Sequence, residues 1–275
     1  MSKSRPLALL AILVTAAMAL FALGCGDDSD DGGGTAEGGG GGGGTLTVGS
    51  DIPYPPFEQG KAPNYTGFDV ELVEAMAAKI DRTARFQDTS FDTIFRDLAQ
   101  GKFEMVASAT TITPEREENV DFTNPYYLSE QALLVKEGSD LKSVEELAGT
   151  TVGVQQGTTG QEFSEEETGA ADVRAYPEGP DAVNELVAGT VDAVVIDLPV
   201  AEDAVAKQGG VEIATSIPTD EQYGFVVAEG EEGLLEELNE ALEEIKDDGT
   251  YAEIYERWFK RAPPKEVLSA THEVS

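Results

Sequence analysis

The stretch Ser108–Tyr127 carries the residue types that recognise a small carboxylate. Phe103–Ala107 reads as a strand that delivers the chain to small and hydroxyl residues. Ala109 lets a ligand approach the backbone closely, and Thr111 offers a hydroxyl. Arg116 supplies a planar fork that matches a carboxylate with two parallel bonds. Arginine is scarce, eight in 275 residues, so one at this place carries weight. Simpler readings exist: Arg116 paired on the surface with Glu117, Glu118 or Asp121, Asp197 as a helix cap, and Asp51 as a turn acid.

Composition removes several chemistries. Lys plus Arg is 18 and Asp plus Glu is 53, a formal net charge of −35. Such a surface repels nucleic acid and anionic lipid. The single cysteine, Cys25, forms no intramolecular disulfide, and the single histidine, His272, lies in a polar tail. Cys/His zinc sites and Ser-His-Asp or Cys-His catalysis lack their parts. No cofactor, metal, nucleic-acid partner or enzyme activity is expected.

The start of the chain reads as an address. Lys3 and Arg5 precede an apolar run, Leu7–Leu23, and then Gly24-Cys25, which describes a secretory signal peptide over 1–24. The run of 17 residues is at the lower limit for a membrane span. Ala22-Leu23-Gly24-Cys25 resembles a bacterial lipobox, which implies a diacylated Cys25 as the mature N-terminus. Gly26–Gly44 holds 11 glycines and no large apolar residue, so 25–44 is expected to be a disordered tether. Its end-to-end distance is roughly 25 Å. No second membrane segment or fused domain is read.

From Thr45, short apolar strands alternate with helical segments, which predicts an α/β fold. Strands are expected at Leu46–Gly49, Phe86–Gln87, Phe103–Ala107, Gln131–Val135, Thr151–Val154, Val191–Asp197, Val211–Ile213 and Tyr223–Val227. Helices are expected around Val70–Ile80, Phe91–Gln100, Ser143–Leu147, Asp181–Ala188, the segment closing at Val205–Lys207, Leu234–Ile245, and the segment bearing Trp258. Ser143 with Glu146, and Thr250 with Glu253, have capping-box spacing. Two units echo each other: in each, a strand opens into a polar loop and a later strand ends in a ligand-type group. Ligands collect outside the carboxyl ends of strands in open α/β sheets. Asp51, Ser108–Thr111, Gln155–Thr159 and Asp197 sit there.

Five motifs then resemble the extracytoplasmic solute-binding proteins of family 3, which serve polar amino-acid uptake. They are Gly67-Phe68-Asp69-Val70-Glu71-Leu72 continuing to Ile80, Ile112–Arg116, Asp121–Tyr127, Gly153–Thr159, and Gly249–Phe259. The resemblance spans Thr45 to about Ala262. It implies a two-lobed, type II periplasmic-binding-protein-like fold with two crossover hinges, near Tyr127–Ser129 and Pro218–Gln222, and the ligand cleft between the lobes. Lobe 1 is then 45–127 with 221–262, lobe 2 is 128–220, and 263–275 is a tail.

The roles carried over are these. Arg116 grips a ligand α-carboxylate, helped by Thr111 and the Ala109 backbone. The Thr158-Thr159 turn adds bonds, and Asp197 accepts from the α-ammonium. Tyr54 and Phe91 sandwich the side chain, Asp51 meets its polar end, and Gln155 is the least defined. Arginine or lysine is favoured, then glutamine. The expected partners are a free amino acid, an ABC permease with its ATPase, and the membrane through lipid on Cys25, with the protein a monomer outside the cytoplasm. The alternatives are a ligand-sensing module for a membrane receptor and an enzyme resembling the cyclohexadienyl dehydratases.

Overall fold

The computed structural model describes residues 44–272. The expected signal peptide, Cys25 and all but the last residue of the expected tether lie outside them. Gly44 already belongs to the first strand, two residues before the predicted strand start at Leu46.

The chain opens with β1 (Gly44–Ser50), a short hairpin of β2 (Gln59–Lys61) and β3 (Asn64–Thr66), helix α1 (Phe68–Lys79) and β4 (Arg82–Asp88). A 3-10 turn at Phe91–Thr93 leads into α2 (Ile94–Ala99), where a single helix was expected. β5 is only Met105–Val106, shorter than the predicted strand, because Phe103 leaves the ladder to fill the space over Gly49. A Cβ on Gly49 would lie 2.4 Å from that ring. Then come α3 (Pro114–Glu117) and β6 (Val120–Phe122).

A second sheet follows, from β7 (Tyr127–Lys136), β8 (Thr151–Gln155), helix α4 (Thr159–Glu167), β9 (Asp172–Tyr176), α5 (Gly179–Ala188), β10 (Ala193–Asp197), α6 (Leu198–Gln208) and β11 (Val211–Tyr223). The chain returns as β12 (Val226–Ala228), α7 (Glu232–Asp247), α8 (Thr250–Phe259) and α9 (Lys265–Leu268). Helix α7 buries Leu235, Leu238, Ala241, Leu242 and Ile245, an apolar stripe at helical spacing.

The sheets have matching designs. The first runs β4-β1-β5-β12-β6 and the second β11-β7-β10-β8-β9. Each combines parallel neighbours with antiparallel ones. β12 inserts between β5 and β6, so the first lobe is built from two separate stretches of chain. This is the bilobed type II periplasmic-binding-protein fold, with helices flanking both sheets.

The segments between the sheets are themselves paired. β7 and β11 run antiparallel through Tyr127↔Tyr223, Leu128↔Gln222 and Ser129↔Glu221, with a register irregularity between Ile217 and Glu221. The sequence predicts a strand only at Val211–Ile213, because the polar run after it lacks alternation. An aromatic cluster anchors the base of this ribbon: Tyr127 packs on Phe57, Phe68, Tyr223, Tyr255 and Phe259 at centroid distances of 4.9–5.8 Å.

Two predicted caps do not form. Glu146 Oε2 accepts the Lys142 N–H, and Ser143 makes no side-chain cap bond to its 3-10 turn. Asp248 Oδ1, not a Thr250–Glu253 box, receives the Thr250 N–H ahead of α8. The tail packs back on the first lobe: Val267 is buried, Lys246 Nζ donates to the Pro125 and Val267 carbonyls, and His272 reaches Glu117 and Asn124.

Candidate functional site: a closed cleft between two sheets

All ten of the predicted ligand-binding residues line one cavity, with Ser108 beside them. The space left free between these side chains is small, about 20 Å3. Asp51, Tyr54, Ala109 and Thr111 come from loops at the first sheet, Phe91 from the 3-10 turn and Arg116 from α3, and Gln155, Thr158, Thr159 and Asp197 from the ends of β8 and β10 and the start of α4. The strand ends therefore face one another, as open α/β sheets require of a ligand crevice.

Arg116 sits on α3, whose first turn is set by Pro114 and by the Thr113 hydroxyl accepting the Arg116 N–H. Its guanidinium lies 5.4 Å from the centroids of both Phe91 and Phe95. Nη1 donates to the Thr111 carbonyl at 2.7 Å and Nη2 to the Gly157 carbonyl at 3.3 Å. Among the described residues it forms no ion pair, so the surface pairing with Glu117, Glu118 or Asp121 is absent. Burial lowers its pKa, against the pull of Glu221 and Asp197.

The acids lie elsewhere in the cavity. Asp197 occupies the N-cap position of α6 but makes no side-chain cap bond. Instead Oδ2 accepts from the Tyr54 hydroxyl and Oδ1 from Gln131 Nε2, both at 2.6 Å. Asp51 accepts from Gln155 Nε2, and its own N–H donates to Ser108 Oγ. Both carboxyls are pushed up to about 7. Burial is the main cause for each, reinforced by Glu178 and Asp88 at Asp51 and by Glu221 at Asp197.

Ala109 has φ +42, a conformation rare for a residue with a side chain. It is held there because its N–H donates to Asp69 Oδ2 at 3.0 Å. That amide is thus occupied, and the Ala109 contribution to the cavity is confined to the rest of its backbone. Thr158 caps α4: its oxygen accepts the Gln161 N–H while its hydroxyl donates to the Gln155 carbonyl. The Thr111 and Thr159 hydroxyls both donate to Glu221, at 2.8 and 3.1 Å.

The sequence reading put Ser108 at the ligand end of its strand but gave it no role, and it lines the cavity. It missed Gln131, Glu221 and the pair Glu58–Asp69. Asp69 lies in the Gly67–Leu72 motif, which marked it without assigning a task. Gln131 and Glu221 lie on the crossover strands, where nothing in the local pattern points inward.

Residues 46–261 match the family model described as "Bacterial extracellular solute-binding proteins, family 3". The chain belongs to this family. Its activity is the binding of a solute outside the cytoplasm rather than catalysis. Among its relatives is the putative ABC transporter arginine-binding protein 2 of Escherichia coli K12, 36% identical over 223 residues, covering 79% of this chain and 91% of the relative. The L-cystine-binding protein TcyJ of the same organism is 34% identical, over 78% of this chain and 82% of that one. A solved ancestral arginine-binding protein bound to arginine superposes with a TM-score of 0.75 at 41% identity, covering 78% of this chain and 98% of that one.

Proposed function

We propose that this family 3 protein is the amino-acid-binding component of an ABC importer and that its ligand is a cationic L-amino acid, arginine or lysine, with glutamine next. The observation that carries the ligand class is the charge of the cavity lining: one cation, Arg116, and two acids, Asp51 and Asp197. A zwitterionic α-carbon consumes Arg116 and Asp197. Asp51 is left with only the neutral Gln155 amide as a side-chain partner. A guanidinium or ammonium completes it, with the stem lying along Tyr54 and Phe91. Each charge-assisted bond contributes about 1.5–3 kcal/mol. No second cation in the lining neutralises a side-chain carboxylate.

Lobe 1 is 45–127 with 221–262, lobe 2 is 128–220, and binding closes the hinge between them. The N-terminus of α4 supports the carboxylate, since free helix amides favour an anion. The monomer is tethered through a lipid on Cys25 after loss of 1–24, and it delivers its amino acid to the permease and ATPase. Calorimetry across the twenty amino acids, ornithine and citrulline tests the ligand: binding confined to acidic or small apolar amino acids sinks it. Incorporation of labelled fatty acid, lost in Cys25→Ala, tests the tether.

A further inference from the structure

Glu221 is a buried carboxylate that the binding scheme above does not use; it is 7% exposed. A buried charge is costly unless hydrogen bonds satisfy it, and here the donors come from both sides of the cleft. Oε2 accepts from the Thr111 hydroxyl, on the loop of the first sheet, at 2.8 Å. Oε1 accepts from the Thr159 hydroxyl, at the first residue of α4 in the second lobe, at 3.1 Å. Gln131 Nε2, on the outgoing crossover strand, donates to the same Oε1 at 3.0 Å and also to Asp197.

The backbone explains why this side chain reaches the cleft. Glu221 pairs with Ser129 just after the register irregularity in β11, and the preceding residue, Asp220, has φ +50. A bulge of this kind re-aims a side chain that regular alternation would send elsewhere. The carboxylate is thereby fixed on the hinge ribbon, the one part of the fold that belongs to both crossings. Thr111 is fixed to the first lobe through its carbonyl, which receives Arg116 Nη1. Thr159 rides on the second lobe. Both hydroxyls meet on one carboxylate only when the lobes are closed.

We propose that Glu221 is a positioning residue that latches the closed state, holding one hydroxyl from each lobe on its two carboxylate oxygens. This rests on the amino-acid-capture reading for its ligand but not for its geometry. Opening the cleft must pull Thr159 away from Oε1 and leave that oxygen short of a donor. The latch therefore slows opening, and so ligand release, while leaving encounter with the open cleft unchanged.

The test compares the full chain with Glu221→Gln and Glu221→Ala. Arginine association and dissociation are followed by stopped flow, and the inter-lobe distance by spin or dye labels on the two lobes, with and without arginine. The expected result is a dissociation rate about tenfold faster in Glu221→Ala, an intermediate value in Glu221→Gln, and an association rate within about twofold of wild type. The label distances shift toward the open form in both variants. In the label distances of the ligand-free protein, which ligand contacts do not enter, Thr159→Val combined with Glu221→Ala adds little beyond either alone, as expected for groups in one interaction. A residue that merely braces the fold would lower the melting temperature of every form and leave dissociation and inter-lobe distance as in wild type. That result overturns the proposal. If the wild type ignores arginine and glutamine, the ligand reading has failed by itself. The label distances of the ligand-free proteins then decide the latch, an unchanged distance in Glu221→Ala overturning it.

Discussion

Arg116 offers five N–H donors and gives two bonds to protein carbonyls, so three donors are left, and among the described residues no carboxylate pairs with it. Arg116→Ala is expected to weaken arginine binding by about 3–5 kcal/mol, more than 100-fold, because the ligand carboxylate then enters a dry site unpaired. Asp51→Asn separates ligand classes. Calorimetry should show arginine losing about 1.5–3 kcal/mol, tenfold or more, while glutamine is held nearly as before. Equal losses for both ligands would remove Asp51 from the side-chain end. A third residue-scale prediction concerns Glu58 and Asp69, both fully buried. Among the described residues, neither Glu58 oxygen nor Asp69 Oδ1 has a hydrogen-bond partner. Burial, then the neighbouring Asp69, pushes Glu58 well above the usual carboxylate range. A proton on Glu58 donated to Asp69 satisfies the pair, leaving Asp69 Oδ2 free to hold the Ala109 N–H and the Tyr126 hydroxyl. Glu58→Gln, which can donate in the same way, is expected to keep stability within about 1 kcal/mol, and Glu58→Ala to lose about 2–4 kcal/mol in urea denaturation.

At the scale of elements, α5 begins beside two residues of the cavity lining, Tyr54 and Gln155. A Cβ on Gly179, its first residue, would lie 2.8 Å from Tyr54 Cε2 and 3.1 Å from Gln155 Oε1. Tyr54 belongs to the opposing lobe, so a methyl there obstructs closure rather than folding. Alanine is also the better helix former, by up to about 1 kcal/mol. Gly179→Ala is therefore expected to leave the ligand-free melting temperature unchanged or raised and to weaken arginine binding. A fall in stability with affinity intact would place the contact inside one lobe's packing instead. The element-level reading of the sequence succeeded where periodicity was strong, as in α7, whose stripe is buried as the spacing demands. It fell short at β11 and β7, because crossover strands pair with each other and carry no pattern of a half-buried face.

For the whole molecule, charge and protons act together. Asp51 and Asp197 titrate near 7 in the folded protein, against an ordinary value near 3.8. Between these values the folded state binds more protons than the unfolded chain, so stability falls as pH rises from about 4 to about 7. The loss is on the order of 4 kcal/mol per carboxyl over that window. A cationic amino acid needs both groups ionised, so its affinity moves the other way and falls about tenfold or more from pH 8 to pH 6. The ligand-free melting temperature should thus drop from pH 5 to pH 8 while the shift produced by arginine grows. Double substitution Asp51→Asn with Asp197→Asn should flatten the first trend. A ligand-induced shift that is larger at pH 5 than at pH 8 would contradict the assigned carboxylates. The −35 charge adds self-repulsion, which salt screens, so these scans are compared at fixed ionic strength.

The sequence by itself determined which residue types stand at the strand ends and in what order the motifs run. Arg116, Asp51 and Asp197 were singled out by the motif resemblance, since by residue type alone a surface pair, a turn acid and a helix cap served as well, and the paired α/β units were legible because periodicity is local. Only the tertiary structure decided the partners. Thr111 meets Glu221 across 110 residues, Gln131 meets Asp197 across 66, and Glu58 is buried beside Asp69. None of these leaves a local trace, since hydrophobic pattern reports that a side chain is buried and not what faces it. The same limit hid the role of the tail: its polar composition says solvent, yet Val267 is buried and His272 reaches Glu117. Contacts between distant segments are set by the closing of one sheet onto another, and that closure exists only in three dimensions.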